Sequence, residues 1–285
     1  MRKEILTTAC LLVSTIAGAS TEQVKVIYGT DNRTDAPLHS NKALKALTTS
    51  VAARIPKSDV VIRNDRYELP KRTLRAAMGV CTTERFSTQR TAAECTGFLI
   101  APDVLVTAGH CMEDSFDCKS NYWAFDYLYT TRSLGESQVF ECDSIIAREL
   151  SSKNDFAIIQ LNKVAEGRTP LKLRRSGTIS ASDGVAVIGH PSGLPLKITD
   201  GGTVRAPNPS LNYFVSTLDT YGGNSGSPVF NTSTLEVEGI LVRGESDYKY
   251  DSSRRCYKSN ICSMSSCRGE DVQKITALPL ASLNL

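Results

Sequence analysis

From Ala76 onward the chain alternates short apolar stretches with polar, turn-rich intervals, the pattern of an all-β sandwich or barrel. Six stretches come first, at 78–81, 96–101, 104–108, 122–129, 138–146 and 156–161, enough for one small closed barrel. After the polar linker Ala165-Glu166-Gly167-Arg168-Thr169-Pro170 a second set follows, at 184–188, 197–204, 213–217, 228–231 and 237–243. The pattern predicts a first unit over 61–165 and a second over 166–285. Residues 20–60 look different. Val24-Lys25-Val26-Ile27-Tyr28 predicts a short strand, and apolar positions at Ala43, Leu44, Ala46, Leu47 and Val51 predict an amphipathic helix over 41–53. This segment is either an N-terminal extension packed on the body or a pro-segment removed on activation.

The first residues change the picture of where the protein works. Arg2 and Lys3 precede an apolar run from Ile5 to Ile16, and Ala17-Gly18-Ala19 reads as a cleavage site, so 1–19 is expected to be a signal peptide. No other stretch approaches the roughly 20 apolar residues of a membrane span. Lys plus Arg number 33 against 30 Asp plus Glu, a net +3 that falls to +2 once Arg2, Lys3 and Glu4 leave with the leader. That balance argues for neither nucleic acid nor an anionic membrane surface, and neither is expected as a partner. The expected product is exported, soluble and monomeric. Without Cys10 eight of the nine cysteines remain, an even number that in an oxidising compartment favours disulfides. A zinc site is the alternative, disfavoured because no Cys-x-x-Cys pair occurs.

The chemistry concentrates in Leu218-Asp219-Thr220-Tyr221-Gly222-Gly223-Asn224-Ser225-Gly226-Ser227-Pro228. Glycines beside a serine allow a tight turn that presents the Ser225 hydroxyl while the Gly223 and Ser225 N–H groups converge as an oxyanion hole. A glycine-rich hairpin tip has the same sequence, so the motif needs a base and an orienting acid upstream. Val104-Leu105-Val106-Thr107-Ala108-Gly109-His110-Cys111 ends an apolar strand on a histidine, and Asn154-Asp155-Phe156-Ala157-Ile158 opens another on an aspartate. A serine hydroxyl becomes nucleophilic when a neutral imidazole takes its proton and a buried carboxylate holds that imidazole. Of the other histidines, His39 reads as a surface residue and His190 as a structural ring under the Gly189-His190-Pro191-Ser192-Gly193 turn.

With these motifs in the order His110, Asp155, Ser225, the chain resembles the chymotrypsin/trypsin-like serine proteases. Gly-Gly-Asn-Ser-Gly-Ser-Pro further resembles the bacterial branch that includes the glutamyl endopeptidases. The resemblance runs from about Cys81 to Gly244 and implies two six-stranded antiparallel barrels packed at right angles, with a cleft between them. It implies His110 as general base, Asp155 as its orienter, Ser225 as nucleophile, and the Gly223 and Ser225 amides as oxyanion hole. It implies a Cys95–Cys111 disulfide beside the histidine; Cys118–Cys142, a pair within Cys256, Cys262 and Cys267, and one bridge to Cys81 complete a consistent set. Substrates would be proteins or peptides, with no cofactor and no metal needed.

The resemblance also puts Asp219 at the base of the specificity pocket, with Thr220 beside it and Arg243 on the strand lining it. An open Asp219 would select Arg or Lys, the expected preference. An Arg243–Asp219 pair would close the pocket to long basic side chains, and a free Arg243 would favour an acidic residue. Acidic or small and apolar residues at P1, the position before the scissile bond, are the alternatives. Asn224 stands where trypsin-type zymogens place an aspartate that pairs with a new N-terminal ammonium. The oxyanion loop is therefore expected to be preformed, any pro-segment acting by blocking the cleft. Val61-Ile62-Arg63-Asn64-Asp65-Arg66 resembles a mature glutamyl endopeptidase start, and Val26-Ile27-Tyr28-Gly29-Thr30-Asp31-Asn32-Arg33 has the same look.

Overall fold

The computed structural model describes residues 26–283 and 285, so the leader expected at 1–19 lies outside the described residues. Two closed barrels organise the chain. The first runs Val139–Leu150, Asp155–Leu161, Val104–Thr107, Cys95–Ala101, Val51–Pro56, Asn121–Phe125 and back to Val139–Leu150. The second runs Gly184–Gly189, Pro228–Asn231, Val237–Arg243, Glu270–Lys274, Tyr213–Ser216 and Lys197–Ala206, closing on Gly184–Gly189. All these pairings are antiparallel.

Closure explains why the strands read as unbroken apolar runs. Successive residues of a strand face opposite sides. Leu99, Leu105, Trp123, Phe140 and Ile159 fill the first barrel, and Val185, Val187, Phe214, Val229 and Leu241 fill the second. Their neighbours Phe98, Val106, Ile158, Ile188 and Ile240 join a further core formed by residues of both barrels. Both faces are buried, so apolar residues follow one another without a polar alternate.

Four expectations need correction. The stretch 78–81 is not a strand: Thr73 caps the helix Leu74–Met78 through its hydroxyl, and Gly79 ends it in the left-handed region at φ 65°. The barrel takes its sixth strand from Val51–Pro56, inside the segment read as an extension. The helix expected over 41–53 stops at Leu47. Thr48 and Thr49 return their hydroxyls to the carbonyls of Lys45 and Ala46, and the β-branched Val51 starts the strand. A chain starting at Val61 would lack this strand. Finally, the second barrel gains Glu270–Lys274, a polar stretch that is nonetheless fully buried.

The segment before the helix is woven into the second barrel. Ile27–Tyr28 pairs in parallel with Ile261–Cys262, and Arg33–Asp35 extends the sheet along Lys197–Ala206. Buried polar partners hold it: Lys197 Nζ lies 2.6 Å from Asp35, and Arg33, clamped by Asp31, lies over the Tyr221 ring. Disulfides join Cys81–Cys256, Cys95–Cys111, Cys118–Cys142 and Cys262–Cys267. The C-terminal tail carries short 3₁₀ turns at Ile275–Ala277 and Ala281–Leu283.

Candidate active site

His110 sits in a 3₁₀ turn, Gly109–Cys111, directly after the strand Val104–Thr107. Gly109 allows that turn to lie against the next strand: a Cβ there would fall 2.3 Å from the Glu149 carbonyl oxygen and 3.0 Å from Phe156 N. Asp155 opens the paired strand Asp155–Leu161 and is buried. Its Oδ2 lies 2.8 Å from His110 Nδ1, and its Oδ1 accepts the His110 backbone N–H at 3.1 Å. Burial alone would raise the Asp155 pKa; the His110 ring and the His110 and Gly109 amides outweigh it and hold the carboxyl below its ordinary value. The acid is therefore ionised at neutral pH and bound to one ring nitrogen. The other, Nε2, is buried with no hydrogen-bond partner.

The serine loop is docked on the unit that carries the histidine. Thr96 N donates to the Ser225 carbonyl at 2.8 Å, and the Cys111 sulfur lies 3.7 Å from the same oxygen. Thr96 Oγ1 donates to the Gly223 carbonyl at 2.8 Å and accepts the His190 N–H at 3.1 Å. Gly226 has φ 88°, and a Cβ there would stand 2.0 Å from the Thr96 carbonyl oxygen. Gly223 has φ 89°, with the His190 carbonyl oxygen only 2.4 Å from where its Cβ would be. A side chain at Gly226 would push the loop off the first barrel, and one at Gly223 would push it off the turn that follows His190.

Within the loop, Asn224 N donates to Tyr221 O, Gly226 N to Leu241 O and Ser227 N to Asn224 O. Gly222 N donates to Asp247 Oδ2 at 3.0 Å. Gly223 N–H, in contrast, donates to no described residue. Beside it a cleft of about 340 Å³ runs past Ala93, Glu94, Arg72, Ser192 and Gly193. His190 is wholly buried under this loop, bonded through Nδ1 to Leu194 O at 2.9 Å and stacked on Tyr127. Burial drives its pKa down to about 3, so the ring stays neutral. His39, expected at the surface, is also buried, with Nε2 3.2 Å from Asp200.

The expected pocket residues are distributed otherwise. Both Asp219 oxygens are occupied by the N-terminal segment, Oδ1 by Tyr28 N at 2.6 Å and Oδ2 by Asn32 N at 2.8 Å. Arg243 does not approach Asp219. Its register partner is Asp271, and its Nε donates to that carboxylate at 3.0 Å. Thr220 is buried and donates its hydroxyl to Glu270 Oε2 at 2.5 Å. Residues not singled out from sequence also meet here: Thr96, Asp247, Glu270, and Gln273, whose Oε1 accepts the Asp155 N–H. Glu270 and Gln273 lie on a strand without apolar periodicity, and so gave no signal.

Among the described residues one trio of metal-ligating types, Cys95, His110 and Cys111, clusters within 4.8 Å. The two sulfurs are joined to each other, so no thiolate remains for a metal. No described helix is long and apolar enough to cross a membrane.

Comparison with known proteins agrees with this architecture. The backbone is similar to a Glu endopeptidase solved in complex with MPD, with TM-score 0.52 and 16% identity, covering 91% of this chain and 98% of that one. It is similar to the VesB protease of Vibrio cholerae, with TM-score 0.53 and 16% identity, covering 91% and 67%. Human heparin binding protein gives TM-score 0.53 and 16% identity over 84% and 91%. At these identities the likeness concerns the fold. No curated protein matches the chain by sequence. The profile of the trypsin-like peptidase domain, however, matches residues 95–240, about half the chain and the span holding His110, Asp155 and Ser225. With that match on a two-barrel fold, the chain belongs to the trypsin-like peptidase family.

Proposed function

We propose that the protein is an exported serine endopeptidase that cleaves proteins or peptides through an acyl-enzyme on Ser225. Ser225 Oγ attacks the scissile carbonyl carbon while its proton passes to His110 Nε2. The developing oxyanion is met by the Gly223 and Ser225 amides. Collapse of the tetrahedral species transfers the proton from His110 to the leaving amine nitrogen, and water repeats the sequence to release the acid. Asp155 keeps the imidazole in the tautomer that leaves Nε2 able to accept. The observation that carries this reading is the His110–Asp155 couple at 2.8 Å, with the Ser225 loop anchored through Thr96 on Cys95–Ala101, the strand paired with the one that leads to His110.

Export is supported by four disulfides, which persist in oxidising compartments, and by the basic-then-apolar start of the chain. The woven segment from Val26 supports a mature start upstream of it, after the leader, in preference to Val61. A basic residue at P1 is the preference that Asp247, bonded to Gly222 N, and Glu270, bonded to Thr220, favour.

Cleavage of a mixed peptide library by the secreted protein, beside its Ser225→Ala twin, tests the function. Cuts that need the serine, with stoichiometric fluorophosphonate labelling at Ser225, are expected. A folded protein that neither cuts nor labels would instead be a binding protein on a peptidase scaffold.

A further inference from the structure

Asp219 cannot be the residue that reads a substrate side chain while both its oxygens hold the backbone of the N-terminal segment. A second carboxylate, itself buried, lies close behind the serine loop. Glu270 begins the strand Glu270–Lys274, and its backbone pairs with Ser216. Alternation along that strand sends Asp271 to Arg243 and Arg268 on one face and Glu270 to the other. There Glu270 Oε2 accepts the Thr220 hydroxyl, three residues before Gly223. On the opposite side the carboxylate lies directly against Gly244: a Cβ at that glycine would fall 2.0 Å from Oε2 and 2.3 Å from Oε1. Asp247, three residues on, reaches back to Gly222 N at 3.0 Å. The chain leading into the serine loop and the chain after Arg243 thus form two walls joined across by Glu270 and Asp247.

Given the proposed function, on which this inference rests, a substrate whose carbonyl oxygen is held at Gly223 N–H places its P1 side chain between those walls. We propose that Glu270 is the residue that selects the P1 side chain, by pairing with a lysine or arginine, with Asp247 adding negative charge at the rim and Asp219 acting only as a structural brace. A cation entering this space gains a charge-assisted hydrogen bond to a carboxylate already oriented by Thr220. An acidic side chain would be brought beside like charges and rejected. Gly244 is required because any side chain there would occupy the position of the carboxylate.

The experiment is a P1-varied peptide series with the secreted full chain and the variants Glu270→Gln, Glu270→Asp and Asp219→Asn. Wild type should cleave after Lys and Arg at least 100-fold faster, in kcat/KM, than after Gln or Leu. Glu270→Gln should erase most of that ratio, kcat/KM falling far more for the Lys and Arg substrates than for those with Gln or Leu. Glu270→Asp keeps the charge one methylene further back, and should keep basic selectivity while shifting the Arg-to-Lys ratio toward arginine. Asp219→Asn should leave the basic-to-neutral ratio unchanged. If the wild type cleaves without basic preference, or both Glu270 variants retain the wild-type ratio, the assignment fails and the peptidase reading stands. If Glu270→Gln does not fold, an unchanged Arg-to-Lys ratio in Glu270→Asp is enough to overturn the assignment. Loss of labelling in the wild type would defeat the peptidase reading itself.

Discussion

The backbone N–H of Asp155 donates to Oε1 of Gln273 at 3.0 Å, tying the acid of the first barrel to the last strand of the second. Gln273 is itself held, its Nε2 donating to the Asn212 carbonyl at 2.9 Å. The carboxylate that orients His110 is therefore positioned by both barrels at once. Gln273→Leu should leave substrate binding nearly intact and lower kcat by about 10-fold, because a small misplacement of an oriented group is costly to rate. Steady-state kinetics with kcat and KM separated would check this. The Gln273→Glu variant, which retains the acceptor oxygen, should recover part of the loss.

Asp219 makes stability depend on pH. Burial raises its pKa from 3.8 to about 6, the amides of Asn32 and Tyr28 opposing the rise only in part. The folded state thus binds a proton that the unfolded chain releases near pH 4. The stability contributed by that proton is full below about pH 4 and is lost as pH rises through about 6, on the order of 3 kcal/mol in all. Urea unfolding at pH 4 and pH 7 should show this slope in the wild type, and Asp219→Asn should flatten it.

The Cys95–Cys111 bridge closes a loop of 16 residues and lies against the Ser225 carbonyl. Replacing both cysteines by serine should cost about 3 kcal/mol by loop entropy alone. Activity should fall further than the folded fraction does, since the serine loop loses a contact. Chemical denaturation and active-site titration on the same samples would separate the two effects.

Gly226→Ala combines two faults, a positive φ of 88° and a Cβ 2.0 Å from the Thr96 carbonyl oxygen. Backbone cannot yield as a flexible side chain can. A loss of about 2–4 kcal/mol is expected, with fluorophosphonate labelling slowed more than 10-fold in whatever folds. Thermal unfolding together with labelling rate gives the check.

Much of this protein was legible from local pattern. Apolar runs such as Val104-Leu105-Val106 and Phe156-Ala157-Ile158-Ile159 announced buried strands, and they are barrel strands. Where local pattern misled, short-range chemistry had two readings. Val51-Ala52-Ala53 suits helix or strand, and barrel closure decided for strand. Glu270-Asp271-Val272-Gln273-Lys274 looks like solvated tail, yet it is buried because each polar group meets a partner from a distant segment.

The sequence by itself determined the all-β architecture and brought out His110, Asp155 and Ser225, because apolar runs and glycine-bracketed turns act over a few neighbouring residues. The tertiary structure alone decided which partners the charged residues around the serine loop take. Asp219 was taken by the amides of residues 28 and 32, 191 and 187 positions away, and Arg243 by its register partner Asp271. Strand register and chain crossing fix such partnerships, and a one-residue shift would exchange the faces of Glu270 and Asp271. No local pattern encodes that choice.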